Sequence, residues 1–262
     1  MKVVLFCGGY GMRMREGRDD VPKPMVRVGE RPLLWHVMRY YAHFGHKEFI
    51  LCLGFGAHHI KEFFLHYRET TSNNFVLRRG GGVELLSHDI YDWTITFVDT
   101  GLETPIGERL RRVKPYLAGE EMFLANYADT LTDAPMNEII ANMAANPQYA
   151  ASLLAVPPQM AFHMVERDAE DRVTGILPVT ELDVAQNGGY FVFRKEVLDE
   201  LQEGEDLVTD TLQRMSSSGK VYAHMHRGFW MPADTVKERA ELEKMYQSGN
   251  RPWALWKNGE ML

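Results

Sequence analysis

Apolar residues along this chain recur in two rhythms, and the two rhythms alternate. Short apolar runs rich in β-formers are typical of buried strands, whereas apolar residues at helical spacing are typical of amphipathic helices. The pattern predicts strands at 3–6, 49–53, 94–98, 122–127, 150–156 and 189–193. It predicts helices at 33–41, 60–67, 108–117, 136–145, 195–201, 207–215 and 235–246.

The alternation of strand and helix determines the expected fold class. Strands and helices of these lengths in alternation favour parallel pairing and a doubly wound sheet. We therefore predict an α/β fold with a doubly wound, mostly parallel (mixed) sheet, in a single domain over residues 1–262. Residues 68–93 interrupt the rhythm with polar and glycine runs, and we interpret them as a lid or an oligomer-contact insert. Residues 235–262 are interpreted as a helical, aromatic-rich C-terminal tail.

A glycine-rich segment and a rigid lysine follow the first predicted strand. Gly8, Gly9 and Gly11 allow the main chain to turn sharply and to bring its N–H groups close to an anion. Arg13 has a guanidinium shaped for bidentate phosphate contact. Lys23 stands between two prolines, which restrict the backbone around it. The combination predicts a cradle for a triphosphate, although a glycine cluster alone is more often only a tight turn.

Composition narrows the classes of function. The chain has 262 residues, of which 45% are hydrophobic and 25% charged, the ordinary balance of a globular protein. A net charge of −7 argues against general nucleic-acid binding. Cys7 and Cys52 lie in apolar runs and are interpreted as buried free thiols of a reducing compartment. Since no signal peptide opens the chain and no long apolar run occurs, we expect a cytoplasmic protein without a membrane partner.

Two aspartates occupy positions suited to a metal ion. Asp129 follows the predicted strand at 122–127, and ligands of open α/β sheets lie outside the carboxyl ends of strands. A carboxylate at this place can hold Mg²⁺ against a phosphate, although a loop aspartate more often shapes a turn or caps a helix. Asp234 directly precedes the predicted charged helix, where an aspartate is ordinarily an N-cap.

These motifs resemble those of the sugar-phosphate nucleotidyltransferases. The family loop reads roughly Gly-Gly-x-Gly-x-Arg-Leu followed by Lys-Pro-Met, and this chain has the same pattern at 8–14 and 23–25, with Met12 and Met14 in place of threonine and leucine. The segment Gly-Phe-Trp-Met-Pro-Ala-Asp-Thr at 228–235 is similar to a motif of one branch, the glucose-1-phosphate cytidylyltransferases. The likeness extends almost end to end and includes 34–36, 60–62, 96–101, 187–192 and 252–253.

The resemblance implies a Rossmann-like nucleotidyltransferase fold and a specific reaction. A phosphate oxygen of a sugar 1-phosphate attacks the α-phosphorus of CTP, and pyrophosphate leaves. The residues implied to be catalytic are Arg13, Lys23, Asp129 and Asp234, and the two aspartates are implied to hold Mg²⁺. Nucleotide contacts are implied for Gly8, Gly9, Gly11, Met12, Arg13, Lys23 and Arg109. Acceptor contacts are implied for Tyr127, Asn187, Gly188 and Gly189. The family also implies a homo-oligomer.

The chain departs from the family pattern on the acceptor side. The family motif Tyr-Gly-Asp-Gly reads Tyr-Ala-Asp-Thr at 127–130, and no Glu-Lys-Pro segment precedes Asn187. Arg194 or a residue of a neighbouring subunit is a candidate for the missing cation. The open alternatives are another nucleoside triphosphate, a different and even non-sugar phosphorylated acceptor, or a nucleotide-binding relative without turnover. For Arg109, a solvent-exposed charge on a helix is as good an interpretation as a phosphate contact. The Asn-Gly-Gly segment at 187–189 could equally be a turn that leads into a strand.

Overall fold

The computed structural model describes residues 1–9, 21–159 and 162–256. The strands are β1 (Lys2–Phe6), β2 (Arg27–Val28), β3 (Arg31–Pro32), β4 (Glu48–Leu53), β5 (Phe75–Leu77), β6 (Val83–Leu85), β7 (Thr94–Asp99), β8 (Met122–Asn126), β9 (Thr130–Thr132), β10 (Ala151–Val156), β11 (His163–Arg167), β12 (Val173–Pro178), β13 (Gln186–Arg194), β14 (Val221–Met225) and β15 (Trp230–Pro232). The α-helices are α1 (Leu33–His43), α2 (Ala57–Leu65), α3 (Ile106–Val113), α4 (Met136–Ala145), α5 (Val197–Glu200), α6 (Gln213–Ser217) and α7 (Val236–Gln247).

A seven-stranded sheet forms the centre of the fold, in the order β14-β10-β13-β8-β1-β4-β7. β13 runs antiparallel to its neighbours β10 and β8, and the other pairings are parallel. The predicted α/β class with a mostly parallel, mixed sheet is therefore confirmed. From β1 the chain passes to β4 and β7 on one side and later returns to β8 on the other. Ligands of such sheets bind at this reversal, outside the carboxyl ends of the strands.

Helices cover both faces of the sheet, which explains why its strands read as continuous apolar runs. Successive residues of β1 point to opposite faces, so that Leu5 packs in the layer with α1, α4 and α7. Val4 and Phe6 pack in the other layer, with α3, α5 and α6. Every side chain from Val3 to Phe6 is buried, and β1 is thereby fixed at the centre of the molecule.

Several elements differ from the sequence prediction. β14 was not predicted, and neither were the short ribbons β2–β3, β5–β6, β9–β15 and β11–β12. The predicted helix at 207–215 consists of a π-helical turn, Leu207–Leu212, followed by α6. None of the helices within residues 1–9, 21–159 and 162–256 is long and apolar enough to cross a membrane.

The insert at 68–93 contains a short 3-10 turn and the hairpin β5–β6. Its attachment to the rest of the chain centres on Asp89, a residue that is 4% exposed. Oδ2 of Asp89 accepts hydrogen bonds from the Tyr67 hydroxyl at 2.5 Å and from Ser72 Oγ at 2.6 Å. The hairpin itself exposes apolar side chains such as Leu77 and Val83.

Glu108, a buried residue in the first turn of α3, is the centre of an ion-pair cluster whose arginine partners are about half exposed. Its carboxylate accepts hydrogen bonds from Arg111 Nε at 2.5 Å and from Arg112 Nε at 2.9 Å. The main-chain N–H of Gly204 donates to it at 3.4 Å. Chiefly because of the bond from Arg111, the pKa of Glu108 falls from 4.5 to about 2. A carboxyl group with a depressed pKa stabilises the fold above its unfolded pKa and loses that contribution as the pH falls.

Glu108→Gln should therefore lower the free energy of unfolding by about 1–2 kcal/mol at pH 7, since the arginine partners are half exposed and water screens the pairs. The difference from wild type should shrink as the pH falls from about 4.5 towards 2. Urea titrations from pH 7 to pH 3 measure it. Glu62→Gln, an exposed glutamate of α2, is the control. A difference that stays constant with pH would contradict the assignment.

Candidate active site

A cavity of about 740 Å³ lies at the reversal point of the sheet. Its wall is formed by the loops that follow β1, β7 and β8, together with the turn Lys23–Met25 and Asp234. Its lining residues are Phe6, Cys7, Gly8, Gly9, Lys23, Pro24, Leu102, Glu103, Thr104, Pro105, Ile106, Arg109, Tyr127, Asp129, Asp206 and Asp234. No residue of the described insert at 68–93 is among these lining residues, and its interpretation as a lid or an oligomer-contact insert stays a prediction.

The ribbon β9–β15 brings the two predicted metal-binding aspartates together. Thr130 pairs with Pro232 in this antiparallel ribbon, and the main-chain N–H of Ala233 donates to the carbonyl of Asp129 at 3.0 Å. Asp129 immediately precedes the paired part of β9, and Asp234 follows that of β15. Their side chains therefore reach the same wall of the cavity although they are far apart in sequence.

Lys23 lies between these two carboxylates. Its Nζ donates to Asp129 Oδ2 at 2.6 Å and also bonds to Asp234 Oδ1. The lysine begins a short 3-10 turn in which Pro24 is buried. Pro22 is packed against Gly56, where an added Cβ would lie 2.6 Å from the proline ring. The structure therefore brings Lys23, Asp129 and Asp234 to one point and holds the lysine on a packed turn.

Burial and charge compete at this cluster. Burial acts to lower the pKa of Lys23, but the Asp129 and Asp234 carboxylates outweigh it and raise the pKa above 10.5. Burial raises the pKa of Asp129 above 3.8, and the neighbouring Lys23 charge offsets only part of that effect. Lys23 therefore stays protonated at neutral pH. Keeping Asp129 ionised at neutral pH lowers the free energy of unfolding, because its pKa is higher in the folded protein than in the unfolded chain.

The alternative interpretation of Asp234 as a helix cap is wrong. Thr235 caps α7: its Oγ1 accepts from the Glu238 N–H at 3.2 Å, and Glu238 Oε2 accepts from the Thr235 N–H at 2.8 Å. This reciprocal pair is a capping box. The side chain of Asp234 is consequently available to the cavity.

The donor set of Asp129 and Asp234 fits a magnesium ion. Both carboxylates reach one cationic atom, Lys23 Nζ, so they can also share a metal ion. Within the part of the chain that the structure describes, no group of three His, Cys, Asp or Glu side chains could hold a metal ion. Mg²⁺ is commonly bound by one or two carboxylates together with substrate phosphates, which is what this pair offers.

Arg109 fixes the loops around the cavity. The residue is 3% exposed, so a solvated helix charge is the wrong interpretation. Its guanidinium donates to the carbonyls of Gly8, Leu53 and Leu102, each at 3.1 Å, and to Thr100 Oγ1 at 2.7 Å. These partners follow or end β1, β4 and β7. The predicted contact of Arg109 with the nucleotide stays a prediction, and its observed contacts are those of a loop clamp.

Gly8 leaves the space in which this clamp lies. A Cβ added at Gly8 would be 2.1 Å from Arg109 Nη1, so any other residue at position 8 would push the guanidinium out of its place. Gly9 also lines the cavity, and nothing lies within 4 Å of the position of its absent Cβ. At residues 8–9 the main chain therefore lines the cavity without any side chain in between. Gly11, Met12 and Arg13 lie outside the described residues.

The predicted acceptor residues form a cluster around Tyr127. Asn187 Nδ2 donates to the Tyr127 hydroxyl at 3.2 Å, and Asn187 Oδ1 accepts from the Gly189 N–H at 2.9 Å. Gly189 has φ +77°, and a Cβ there would lie 2.7 Å from the Tyr127 ring. The carbonyl of Gly188 accepts from Trp230 Nε1 at 2.8 Å. The four residues therefore lie together, with Tyr127 lining the cavity and the Asn-Gly-Gly segment inside β13.

Ala128, beside Asp129, has the left-handed backbone conformation that favours glycine, with φ +61°. It is fully buried, and its N–H donates to Asn126 Oδ1 at 2.6 Å. The family motif has glycine at this position, and alanine here bears backbone strain of about 1–2 kcal/mol. Ala128 is not among the residues that line the cavity, so its methyl group does not narrow the space beside Asp129.

Arg194 is not the missing cation of the acceptor side. It pairs with Met122 at the amino end of β8, whereas the cavity lies beyond the carboxyl end. Its guanidinium donates to the carbonyls of Tyr149 at 3.0 Å and Met143 at 2.5 Å. The interpretation of Arg194 as a phosphate-binding substitute was therefore wrong.

Part of the cavity wall is formed by residues that were not among the predicted site residues. The loop 102–106 lines it, and so does Asp206, whose side chain caps the π-helical turn through the N–H groups of Val208 and Thr209. The position of this loop in the sequence could have indicated its role, because it follows β7 at the carboxyl edge of the sheet, where ligands bind.

Comparisons with known proteins agree with this architecture. Residues 2–247 match the model of the nucleotidyl transferase family. The chain is 34% identical to the probable glucose-1-phosphate cytidylyltransferase of Bacillus subtilis, over 98% of this chain and all of that protein. It is 32% identical to the glucose-1-phosphate cytidylyltransferase of Salmonella typhimurium over the same shares.

A solved structure shows the same fold at low sequence identity. A putative glucose-1-phosphate thymidylyltransferase from Bacillus anthracis superposes with a TM-score of 0.68 at 13% identity, over 94% of each chain. The family match covers nearly the whole chain and includes the segments that bear Lys23, Asp129 and Asp234. This chain therefore belongs to the nucleotidyl transferase family, a family of nucleotidyltransferase enzymes.

Proposed function

We propose that this protein transfers CMP from CTP to a sugar 1-phosphate of the glucose 1-phosphate type and releases pyrophosphate, with Mg²⁺ as its cofactor. The main support for the proposal is the position of Lys23, which bonds to both Asp129 and Asp234. These three residues line a cavity at the point where the strand order of the sheet reverses. Relatives at 32% and 34% identity over nearly the full chain have this activity in their names. Nucleotidyltransferases of this family generally use a divalent metal ion.

The reaction exchanges one P–O bond for another. An oxygen of the acceptor phosphate attacks the α-phosphorus of CTP, and the bond from that phosphorus to the oxygen bridging to the β-phosphorus breaks. The electron pair leaves with pyrophosphate. The work of the protein is to align the two phosphates and to neutralise developing charge. Lys23, a firm cation on a packed turn, is preorganised for this task.

Other residues of the wall hold the substrates in place. The bare main chain at Gly8 and Gly9 allows the triphosphate to approach closely, and Arg109 fixes that main chain from behind. Asp129 and Asp234 would hold Mg²⁺. When bound, the ion neutralises phosphate charge and orients phosphate oxygens.

The charges of the cavity explain why a metal ion would be needed. Its described lining contains two basic side chains, Lys23 and Arg109, and four acidic ones, Glu103, Asp129, Asp206 and Asp234. Such a wall repels a triphosphate unless additional cations are present. Asp129 and Asp234, which both reach Lys23 Nζ, would hold a divalent ion on this wall, and that ion would supply part of the missing positive charge.

A second candidate differs in the acceptor. The residues at 175–183 contain no lysine, and Arg194 is engaged at the far end of the sheet. The acceptor side near Tyr127 and Asn187 thus presents neutral hydrogen-bonding groups. A phosphorylated compound other than glucose 1-phosphate, held by hydroxyl contacts or by a neighbouring subunit, is favoured by this observation.

A homo-oligomer is part of the proposal. The hairpin β5–β6 and the hairpin β11–β12 expose apolar side chains, among them Leu77, Val83, Val165 and Ile176. Exposed apolar clusters of this kind are typical of protein–protein contact.

Pyrophosphate release with a matrix of donors and acceptors tests the proposal. CTP, UTP and the other nucleoside triphosphates are each combined with glucose 1-phosphate, other sugar 1-phosphates and non-sugar phosphates. We expect CTP to give the highest kcat/KM among donors. A kcat/KM for glucose 1-phosphate above about 10⁵ M⁻¹s⁻¹, and above every other acceptor, would exclude the second candidate. No release with any pair would contradict transfer activity and leave a binding role.

A further inference from the structure

The hydroxyl of Thr130 holds the carboxylate that the proposed function places against the metal ion. Thr130 Oγ1 donates to Asp129 Oδ1 at 2.9 Å, while Lys23 donates to the other oxygen, Oδ2, at 2.6 Å. Each of the two carboxylate oxygens thus accepts a hydrogen bond from a different side chain. Hydrogen bonds to an ionised acceptor are the strong ones, so together they fix the plane of the carboxylate.

Thr130 is itself held in place by burial, by strand pairing and by a hydrogen bond to its main chain. It is 4% exposed, and its main-chain carbonyl accepts from the Tyr190 hydroxyl at 2.6 Å. It lies in the ribbon β9–β15, paired with Pro232. Threonine is also stiff at χ1 because its Cβ is branched. The hydroxyl is therefore a fixed donor.

Thr130 does not belong to the cavity wall, so its effect passes through Asp129. In the Tyr-Gly-Asp-Gly motif that residues 127–130 resemble, glycine stands at this position, and glycine has no side chain to donate. The second departure from this motif is Ala128, the residue before Asp129. Both sequence neighbours of Asp129 therefore carry side chains where the motif has glycine, and the Thr130 hydroxyl contacts the carboxylate.

We propose that Thr130 is a positioning residue for nucleotidyl transfer, which fixes the Asp129 carboxylate in the orientation that receives a divalent cation. The inference rests on the proposed function, and it adds a residue to the machinery of that site. Losing a hydrogen bond to a charged group typically costs one to two powers of ten in binding or rate. A loss of this size is what removal of the hydroxyl should cause.

Three variants test the role of the hydroxyl. Thr130→Val keeps the shape and removes the donor, and Thr130→Ser keeps the donor and removes the methyl group. Thr132→Val is the matched control: Thr132 lies on the same strand two residues on, and its Oγ1 donates to the Phe229 carbonyl at 2.7 Å, not to a carboxylate. The measurements are kcat with CTP and the best acceptor, Mn²⁺ binding to the protein alone by electron paramagnetic resonance, and the melting temperature.

Thr130→Val should lower kcat and weaken Mn²⁺ binding, each by roughly tenfold or more. Thr130→Ser should stay within about threefold of wild type on both, and Thr132→Val should leave both unchanged even if it melts earlier. Equal values for Thr130→Val and wild type would overturn the proposal, and so would equal losses for the serine and valine variants. If the wild type transfers no nucleotide at all, the proposed function fails, and Mn²⁺ binding still decides the role of Thr130.

Discussion

Lys23→Ala should lower kcat by about 10²–10³, the loss expected when one preorganised electrostatic contact with the transition state is removed. Lys23 Nζ bonds to both cavity carboxylates, and its turn is held by Pro22 against Gly56 and by the buried Pro24. The cation is therefore in place before substrate arrives. Steady-state kinetics with CTP and the best acceptor measure the effect.

A matched control separates this role from the loss of an ordinary ion pair. Lys47 also pairs with an aspartate, Asp92, at 2.5 Å, but both side chains are more than a third exposed and neither lines the cavity. Lys47→Ala should leave kcat unchanged, because exposed pairs contribute little. Turnover of Lys23→Ala within about threefold of wild type would remove the lysine from the mechanism.

Asp234→Asn should abolish measurable transfer, with a loss of at least about 10³ in kcat, while the melting temperature stays within a few degrees of wild type. The asparagine keeps the size of the side chain but removes the charge that a metal ion requires. Asp129→Asn should lose activity equally. Since partial burial raises the pKa of Asp129, its neutral replacement removes a charge that this site disfavours, which offsets part of the lost bond to Lys23.

Thr235→Ala is the control for Asp234, because Thr235 is the residue that caps α7. Loss of the cap should cost about 1 kcal/mol, or roughly 2–4 °C in melting temperature, and should spare kcat. The two neighbouring residues are thus expected to show opposite behaviour. If Asp234→Asn keeps its transfer activity but has a clearly lower melting temperature, Asp234 has a structural role and not a catalytic one.

The parts of the fold with strong local signals could be predicted from the sequence. The central strands read as apolar runs because both faces of the sheet are covered, and α1 has clear helical spacing. β14 was missed because it is an edge strand in which polar and apolar residues mix, as in Tyr222 and His224. The ribbon β9–β15 was missed because three residues on each side are too few to show a period of two.

The candidate site was predictable only in part. The stiffness of the loop at Lys23 follows from its prolines, and the place of Asp129 follows from the strand before it. The meeting of Asp129 with Asp234 depends on the ribbon, and the sequence indicated it only through family resemblance. The contacts of Arg109 could not be foreseen, because its partners are mostly main-chain carbonyls of separate loops, whose positions no residue type encodes.

Identification of the products shows directly whether this protein transfers CMP to a phosphorylated acceptor. The protein is incubated with CTP, Mg²⁺ and the best acceptor of the matrix, and the mixture is followed by phosphorus NMR and mass spectrometry. The account predicts pyrophosphate and a CDP-linked product in equal amounts from the wild type, and neither from Asp234→Asn. CMP formed without the linked product, or equal product from Asp234→Asn, would contradict it.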